Sequence, residues 1–303
     1  MSDGQIVVSG LTKQYPKVRA VDDLSFTVEP GRVTGFLGPN GSGKTTTLRM
    51  ILNLVTPTQG GATIGGARYA DLDEPLATVG AVLEASSAHK GRTGRNHLRV
   101  VCTAAGYPAG RVDEVLELVG LTPAAKRKFK GYSLGMRQRL GIAVAMLGDP
   151  KVLILDEPAN GLDPEGIRWM REFLRAFADQ GRTVFVSSHL LSEMEQLADN
   201  VIIIAYGKLI ARGSLNDVVG SMKGGAKVRV RTPNEAALTE ELRKVGAVVT
   251  PNGAGALSVT GVEAAVVGRA ALAAQAELHE LVAERPDLEE AFLELTQGKA
   301  GIR

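Results

Sequence analysis

A chain of 303 residues with 35 basic and 33 acidic side chains has room for about two domains, and its net charge of +2 lacks the broad basic field that nucleic-acid binding usually requires. One cysteine, Cys102, excludes an intrachain disulfide and a cysteine metal cluster, and it reads as a small buried apolar residue. Met1 to Gly10 has no basic start or apolar core, so no signal peptide is expected, and apolar runs such as Val201 to Tyr206 fall far short of the ~18–20 residues that span a bilayer. The expectation is a soluble chain of a reducing compartment, with any membrane spanning left to another polypeptide.

In chain order, Gln5 to Leu11 and Leu24 to Val28 alternate as strands. Tyr15 falls on the loop between them, followed by Pro16, where an aromatic ring could carry a stacked adenine or simply be a half-buried loop residue. After the Pro30-Gly31 turn comes an apolar strand, Val33 to Leu37, then Gly38-Pro39-Asn40-Gly41-Ser42-Gly43-Lys44-Thr45-Thr46, and then a helix running to Leu52. The nine residues fit G-x-x-x-x-G-K-[ST] in the strand–loop–helix setting that the motif needs. Glycines let the backbone curl so that N–H groups face phosphate oxygens, and the helix N-terminus adds its positive dipole end. Lys44 would reach the β- and γ-phosphates and the Thr45 hydroxyl would ligate Mg²⁺.

Thr56 to Gly66 reads as a turn and a short hairpin around Ala62-Thr63-Ile64, and Thr78 to Leu83 as a strand ending at Glu84. From about 85 to 148 the pattern is helical, over Asn96–Ala105, Val112–Val119 and Met136–Leu147, as expected of a helical insert in an α/β core. Within it, Ser133 and Gly135 open a helix, with Ser133 as N-cap at an anion-ready N-terminus. Val152 to Leu155 is a buried central strand that ends in Asp156-Glu157-Pro158. Two carboxylates at the carboxyl end of a parallel strand sit where such sheets bind ligands, so Asp156 can hold Mg²⁺ while Glu157 aligns or deprotonates water. Asn160 to Pro164 is a turn, Glu165 to Gln180 an amphipathic helix with Trp169 packed, and Thr183 to Ser187 a second buried strand leading to Ser188-His189. His189, on the same edge, is a candidate γ-phosphate contact.

This ordered set resembles the ATP-binding subunit of an ABC transporter over Gln5 to Gly220. The resemblance implies a P-loop NTPase cassette of the α/β class, with a mixed sheet core and an inserted helical subdomain. It makes Tyr15 the adenine platform, Gly38 to Thr46 Walker A, Glu84 the Q-loop position and third Mg²⁺ ligand, and Ser133, Gly135 and Gln138 the signature. It makes Asp156 and Glu157 Walker B, Asp163 the D-loop, and His189 the switch histidine. It further implies a head-to-tail dimer of two cassettes around ATP, with Ser133 and Gly135 of one copy facing the γ-phosphate held by Lys44 of the other. Two departures stand out: glutamate replaces the family's usual glutamine at Glu84, adding negative charge near triphosphate, and the signature reads YSLGM rather than LSGGQ. VLEASS, TGRNHL and YSLGMRQRL are similar to the branch that exports bacitracin-like peptides, lantibiotics and other amphiphiles.

Beyond Gly220, Ser221 to Gly225 is linker-like and residues 221–303 read as a small α+β domain, similar to the C-terminal extension of such export ATPases. Lys227 to Arg231 (KVRVR) reads as an edge strand kept soluble by its basic residues, followed by a helix over Asn234–Val245, strands at Ala247–Val249 and Leu257–Val259, and a helix over Glu263–Ala276. Asp287 to Glu290 opens a last helix with Leu288, Ala291, Phe292 and Leu295 on one face. The expectation is therefore a Mg²⁺-dependent cytoplasmic ATPase at the inner face of the membrane, dimeric, driving a separate permease and binding no nucleic acid. The competing expectations are a soluble ATPase acting on ribosomes or DNA and an ATP-gated sensor. Relatives acting on ribosomes or DNA generally carry two cassettes in one chain or long coiled-coil inserts, and this chain shows neither.

Overall fold

The structure is a computed structural model that describes residues 3–83, 88–220, 227–253 and 255–284. Two compact units divide the chain, Met1–Ser214 and Leu215–Arg303. The first begins with β1 (Ile6–Gln14), β2 (Arg19–Val28), β3 (Val33–Leu37), α1 (Lys44–Ile51) and β4 (Gln59–Ile64). β1 pairs antiparallel with β2 and β4, giving a three-stranded sheet ordered β2-β1-β4. The expected local hairpin around Ala62-Thr63-Ile64 is thereby corrected. Those residues pair with Val8, Val7 and Ile6 across the sheet, and only an isolated bridge joins Ile64 to Ala67. The alternation of β1, with Ile6 and Val8 buried, leaves it a second edge to pair.

α2 (Pro75–Thr78), β5 (Val79–Val82), α3 (Gly94–Ala104), α4 (Arg111–Leu118), α5 (Leu134–Ala145), β6 (Val152–Asp156), α6 (Pro164–Asp179), β7 (Thr183–Ser188), α7 (Leu191–Leu197), β8 (Asn200–Ala205) and β9 (Lys208–Ser214) complete the unit. The large sheet runs β5-β6-β7-β3-β8-β9, parallel except for the antiparallel edge strand β9. Its inner strands are continuous apolar runs because both faces are covered, as in β3, where all five residues are buried. Phe26, Phe36 and Phe185 meet in a triangle with centroid separations of 5.6, 5.8 and 5.2 Å, which ties the smaller sheet to the larger. The α3–α5 insert between β5 and β6 has its own core of Leu98, Cys102, Val112, Val115 and Leu140. Cys102 Sγ faces the carbonyl oxygens of Tyr107 and Pro108, a structural thiol.

The second unit contains α8 (Leu215–Gly220), β10 (Lys227–Arg231), α9 (Glu235–Lys244), β11 (Val248–Pro251), β12 (Ala256–Thr260), α10 (Ala264–Ala273) and β13 (Glu280–Glu284). Its antiparallel sheet is ordered β11-β12-β10-β13, the split βαββαβ arrangement. KVRVR is therefore an interior strand, flanked by β12 and β13, rather than an edge. Val228 and Val230 bury one face against Leu238, Leu242 and Val267, while Arg229 on the other face pairs with Glu280 at 2.9 Å. The alternating charges meet a cross-strand acid rather than solvent alone. Ser221–Gly225 and the helix start at Asp287–Glu290, with Phe292 and Leu295, lie outside the described residues.

Candidate nucleotide site

Three neighbouring strands of the large sheet, β6, β7 and β3, end side by side and deliver Asp156-Glu157, Ser188-His189 and the glycine loop to one edge. The loop needs its glycines. Gly43 has φ +105° and a Cβ there would fall 2.4 Å from the Ala20 carbonyl oxygen, and a Cβ on Gly38 would fall 2.4 Å from that of Ile204. Pro39, Asn40 and Gly41 are exposed at the crest, whereas Ser42 and Lys44 are buried beneath it. Lys44 Nζ donates to the carbonyl oxygens of Gly38 (2.7 Å) and Pro39 (3.3 Å), so the ammonium is preplaced inside its own loop. No side chain caps α1 at Gly43, which keeps its first N–H groups aimed into the loop with Thr45 and Thr46 beside them.

Thr45 Oγ1 donates to Asp156 Oδ2 at 2.6 Å. Two hard oxygens this close, one a carboxylate, form a donor set suited to Mg²⁺, which takes oxygen ligands beside a phosphate. Glu157 Oε2 accepts from the backbone N–H of His189 (3.3 Å) and is joined to His189 Nδ1 at 2.6 Å, while Oε1 pairs with Lys44 Nζ at 3.3 Å. Glu157 occupies the left-handed region at φ +50°, an uncommon place for a non-glycine residue. Ser187 holds it there. The Glu157 N–H donates to Ser187 Oγ at 3.0 Å, and that hydroxyl donates in turn to Asp156 Oδ1. Ser187 is fully buried, and sequence reasoning missed it because a serine closing an apolar strand looks structural. Glu193 on α7 was missed too. It lines a cavity with Glu157, Ser187 and Met194, its Oε2 is buried without a hydrogen-bond partner, and burial pushes its carboxyl pKa up.

Lys44, Thr45, Asp156, Glu157 and His189 are thus brought together. Tyr15 stands apart on its turn, 40% exposed, with Lys13 Nζ 5.2 Å from the ring centroid. Ser133 and Gly135 line a different cleft, with Arg139, Gly161 and Asp163. Ser133 Oγ caps α5 by accepting from the Met136 N–H, and Asp163 caps α6 by accepting from the Gly166 N–H at 2.8 Å. Gln138 is buried in α5, away from the open cleft that Ser133 and Gly135 line. Glu84 lies outside the described residues.

A phosphate loop, a carboxylate pair and a histidine at three adjacent strand ends define a P-loop nucleotide hydrolase, the class in which positioned charge around a triphosphate does most of the work. Comparison narrows the class. The ABC transporter family profile matches residues 21–160, and a domain of unknown function (DUF8746) matches 226–289. An uncharacterized ABC transporter ATP-binding protein of Bacillus subtilis, YhcH, is 39% identical over 292 residues, covering 95% of each chain. The bacitracin transport ATP-binding protein BcrA of Bacillus licheniformis is 45% identical over 68% of each chain, and the lantibiotic transport ATP-binding protein SrtF of Streptococcus pyogenes is 38% identical over 67% of this chain and 88% of its own. A solved ATP-binding subunit of an ABC transporter superposes with TM-score 0.63 at 29% identity, over 70% of this chain and 91% of that one. The chain belongs to the ATP-binding proteins of ABC transporters and is an ATPase of that family. Among the described residues no helix is long and apolar enough to cross a membrane.

Proposed function

We propose that this chain is the cytoplasmic motor of an exporter whose permease is a separate polypeptide, and that the cargo is a peptide antibiotic or a similar amphiphile. The observation that carries the proposal is the convergence of Lys44, Thr45, Asp156, Glu157 and His189 in a chain similar to bacitracin and lantibiotic transport ATP-binding proteins. The glycine loop from Gly38 to Thr46 binds the β- and γ-phosphates of ATP, with Lys44 neutralising the γ-phosphate and Tyr15 stacking on the adenine. Thr45 and Asp156, joined by Glu84, hold Mg²⁺, which screens the phosphate charge when bound. Glu157 accepts the proton of the attacking water, and His189, hydrogen-bonded to it, keeps that carboxylate oriented toward the γ-phosphate.

Two copies are proposed to close head to tail on two ATP molecules. What supports this is that the cleft lined by Ser133, Gly135 and Asp163 includes none of Lys44, Glu157 or His189. The test is to tag the chain in its host, solubilise membranes gently and identify what co-purifies. A multi-helix membrane protein in near-equal amount is the expected result, and recovery only with ribosomes or nucleic acid would overturn it.

A further inference from the structure

Two segments of the helical insert carry a concentration of positive charge that ATP hydrolysis does not use. Residues 88–95 and 125–131 contain seven lysines and arginines and no acid, against a net charge of +2 for the whole chain. The backbone zips them together. Gly94 and Arg95 N–H donate to the carbonyl oxygens of Arg127 (3.3 Å) and Ala125 (2.9 Å), and Phe129 and Lys130 N–H donate to those of Arg92 (2.8 Å) and Lys90 (3.1 Å). Lys90, Arg92, Lys126, Arg127, Lys128 and Lys130 are all exposed. Arg95 is satisfied by Asp113, but Lys90, Arg92, Lys126, Lys128 and Lys130 have no acidic partner among the described residues. Like charges gathered on paired segments repel one another, a cost that an anionic partner removes. One hollow in the patch shows where such a group fits. Lys90, Lys130 and Arg137 surround the buried Phe129 ring, Arg137 Cζ lies 5.2 Å from its centroid, and Arg137 Nε is buried without a partner.

We propose that this surface binds the anionic phospholipid headgroups of a membrane, with a phosphate seated among Lys90, Lys130 and Arg137. The choice of occupant rests on the proposed role at a membrane permease. Clustered lysines and arginines are what an anionic leaflet attracts. Base recognition fits less well, because Phe129 and Tyr132 are buried and His89 is left as the one exposed aromatic ring of the two segments, short of a run of stacking platforms.

The test is co-sedimentation of the full chain, without permease or nucleotide, with vesicles of phosphatidylglycerol and phosphatidylcholine in equal amounts and with phosphatidylcholine alone. Binding only to the anionic vesicles is expected, and it should vanish at about 0.5 M salt. The triple variant Lys126→Gln, Lys128→Gln, Lys130→Gln should lose roughly a hundredfold in partition, about fivefold for each cation removed. Arg243→Gln with Lys244→Gln, exposed cations of the C-terminal unit, should bind as the wild type does. Equal binding to neutral vesicles, wild-type binding by the triple variant, or tighter binding to a single-stranded RNA that displaces the vesicles would each overturn the proposal. If the triple variant misfolds, the single variants Lys126→Gln and Lys130→Gln decide the matter: each should lose about fivefold in partition, and wild-type binding by both would overturn the proposal. Because neither permease nor ATP is present, failure here leaves the ATPase and transport reading standing, and recovery of a permease says nothing about lipid.

Discussion

Lys44 Nζ lies 3.3 Å from Glu157 Oε1, so the ammonium proposed to meet the γ-phosphate is already paired with the carboxylate proposed to meet the water. On the proposed roles, an incoming γ-phosphate would compete with Glu157 for that charge, and winning the competition would release the carboxylate to act as base. Those roles would link binding and activation through one side chain.

Replacing Glu157 with Gln should therefore do two things at once. Turnover should fall by about 10²–10⁴-fold, the usual worth of a positioned base. ATP should bind at least as tightly as to the wild type, because Lys44 loses an anionic competitor, and an ATP-bound dimer should accumulate. Nucleotide titration and size-exclusion chromatography with ATP report the two effects. Undiminished hydrolysis would remove Glu157 from the role of base.

Ser187 is the hinge of the same cluster, donating to Asp156 and accepting from the Glu157 N–H while fully buried. Its replacement by Ala removes the hydroxyl that donates to the Asp156 carboxylate and leaves the Glu157 N–H with its other acceptor alone, the backbone carbonyl oxygen of residue 187 at 3.2 Å, which should cost about 1–3 kcal/mol of stability. Turnover should drop by about 10–100-fold, as for other groups that orient a metal-binding carboxylate. Chemical denaturation and steady-state kinetics test the pair of effects, and a variant with lowered stability but intact turnover would confine Ser187 to folding.

How much of this was legible in the sequence depends on how local each signal is. Gly38 to Thr46, Asp156-Glu157 and His189 each follow an apolar strand directly, so a one-dimensional pattern places them at strand ends. Their meeting needs the strand order β6-β7-β3, which local pattern does not encode. Ser187 and the positive φ of Glu157 gave no sign for the same reason, since both are defined by the neighbouring strand. KVRVR read as an edge because its partner β13 is only five residues long, with a glutamate at each end, and looks polar by itself. Gln138 follows Ser133 closely in sequence, yet the turn of α5 carries it into the interior.

Arg139 on α5 and Trp169 on α6 join the helical insert to the helix that follows β6. The guanidinium lies 4.1 Å from the indole centroid and also donates to the Val119 carbonyl oxygen at 3.2 Å, and Trp169 stacks on Phe173 at 5.5 Å. Because α5 carries Ser133 and α6 carries Asp163, this contact sets the spacing between the two caps. In a double-mutant cycle with Arg139→Ala and Trp169→Ala, the stability losses should be non-additive by about 0.5–2 kcal/mol, the range of a cation–π contact. Trp169→Phe should restore part of the coupling. Additive losses would mean that the two side chains stabilise their helices independently.

Glu193 gives a pH dependence of definite sign. Burial raises its carboxyl pKa above the ordinary 4.5, His189 opposes that shift, and the negative charge of Glu157 reinforces it. The folded chain therefore holds this proton more tightly than the unfolded chain does, and stability from the group is fully present below about pH 4.5 and is lost as pH rises through the raised value. At neutral pH an ionised Glu193 with an unpartnered buried oxygen is a cost. Glu193→Gln keeps the shape and discards the charge, so its melting temperature relative to the wild type should climb as pH rises from about 4.5 and level off once the raised value is passed. Thermal melts of both proteins across that range measure the gap directly. A gap that stays constant with pH would show that the carboxyl titrates alike in the folded and unfolded chains, and that its buried oxygen is satisfied in solution.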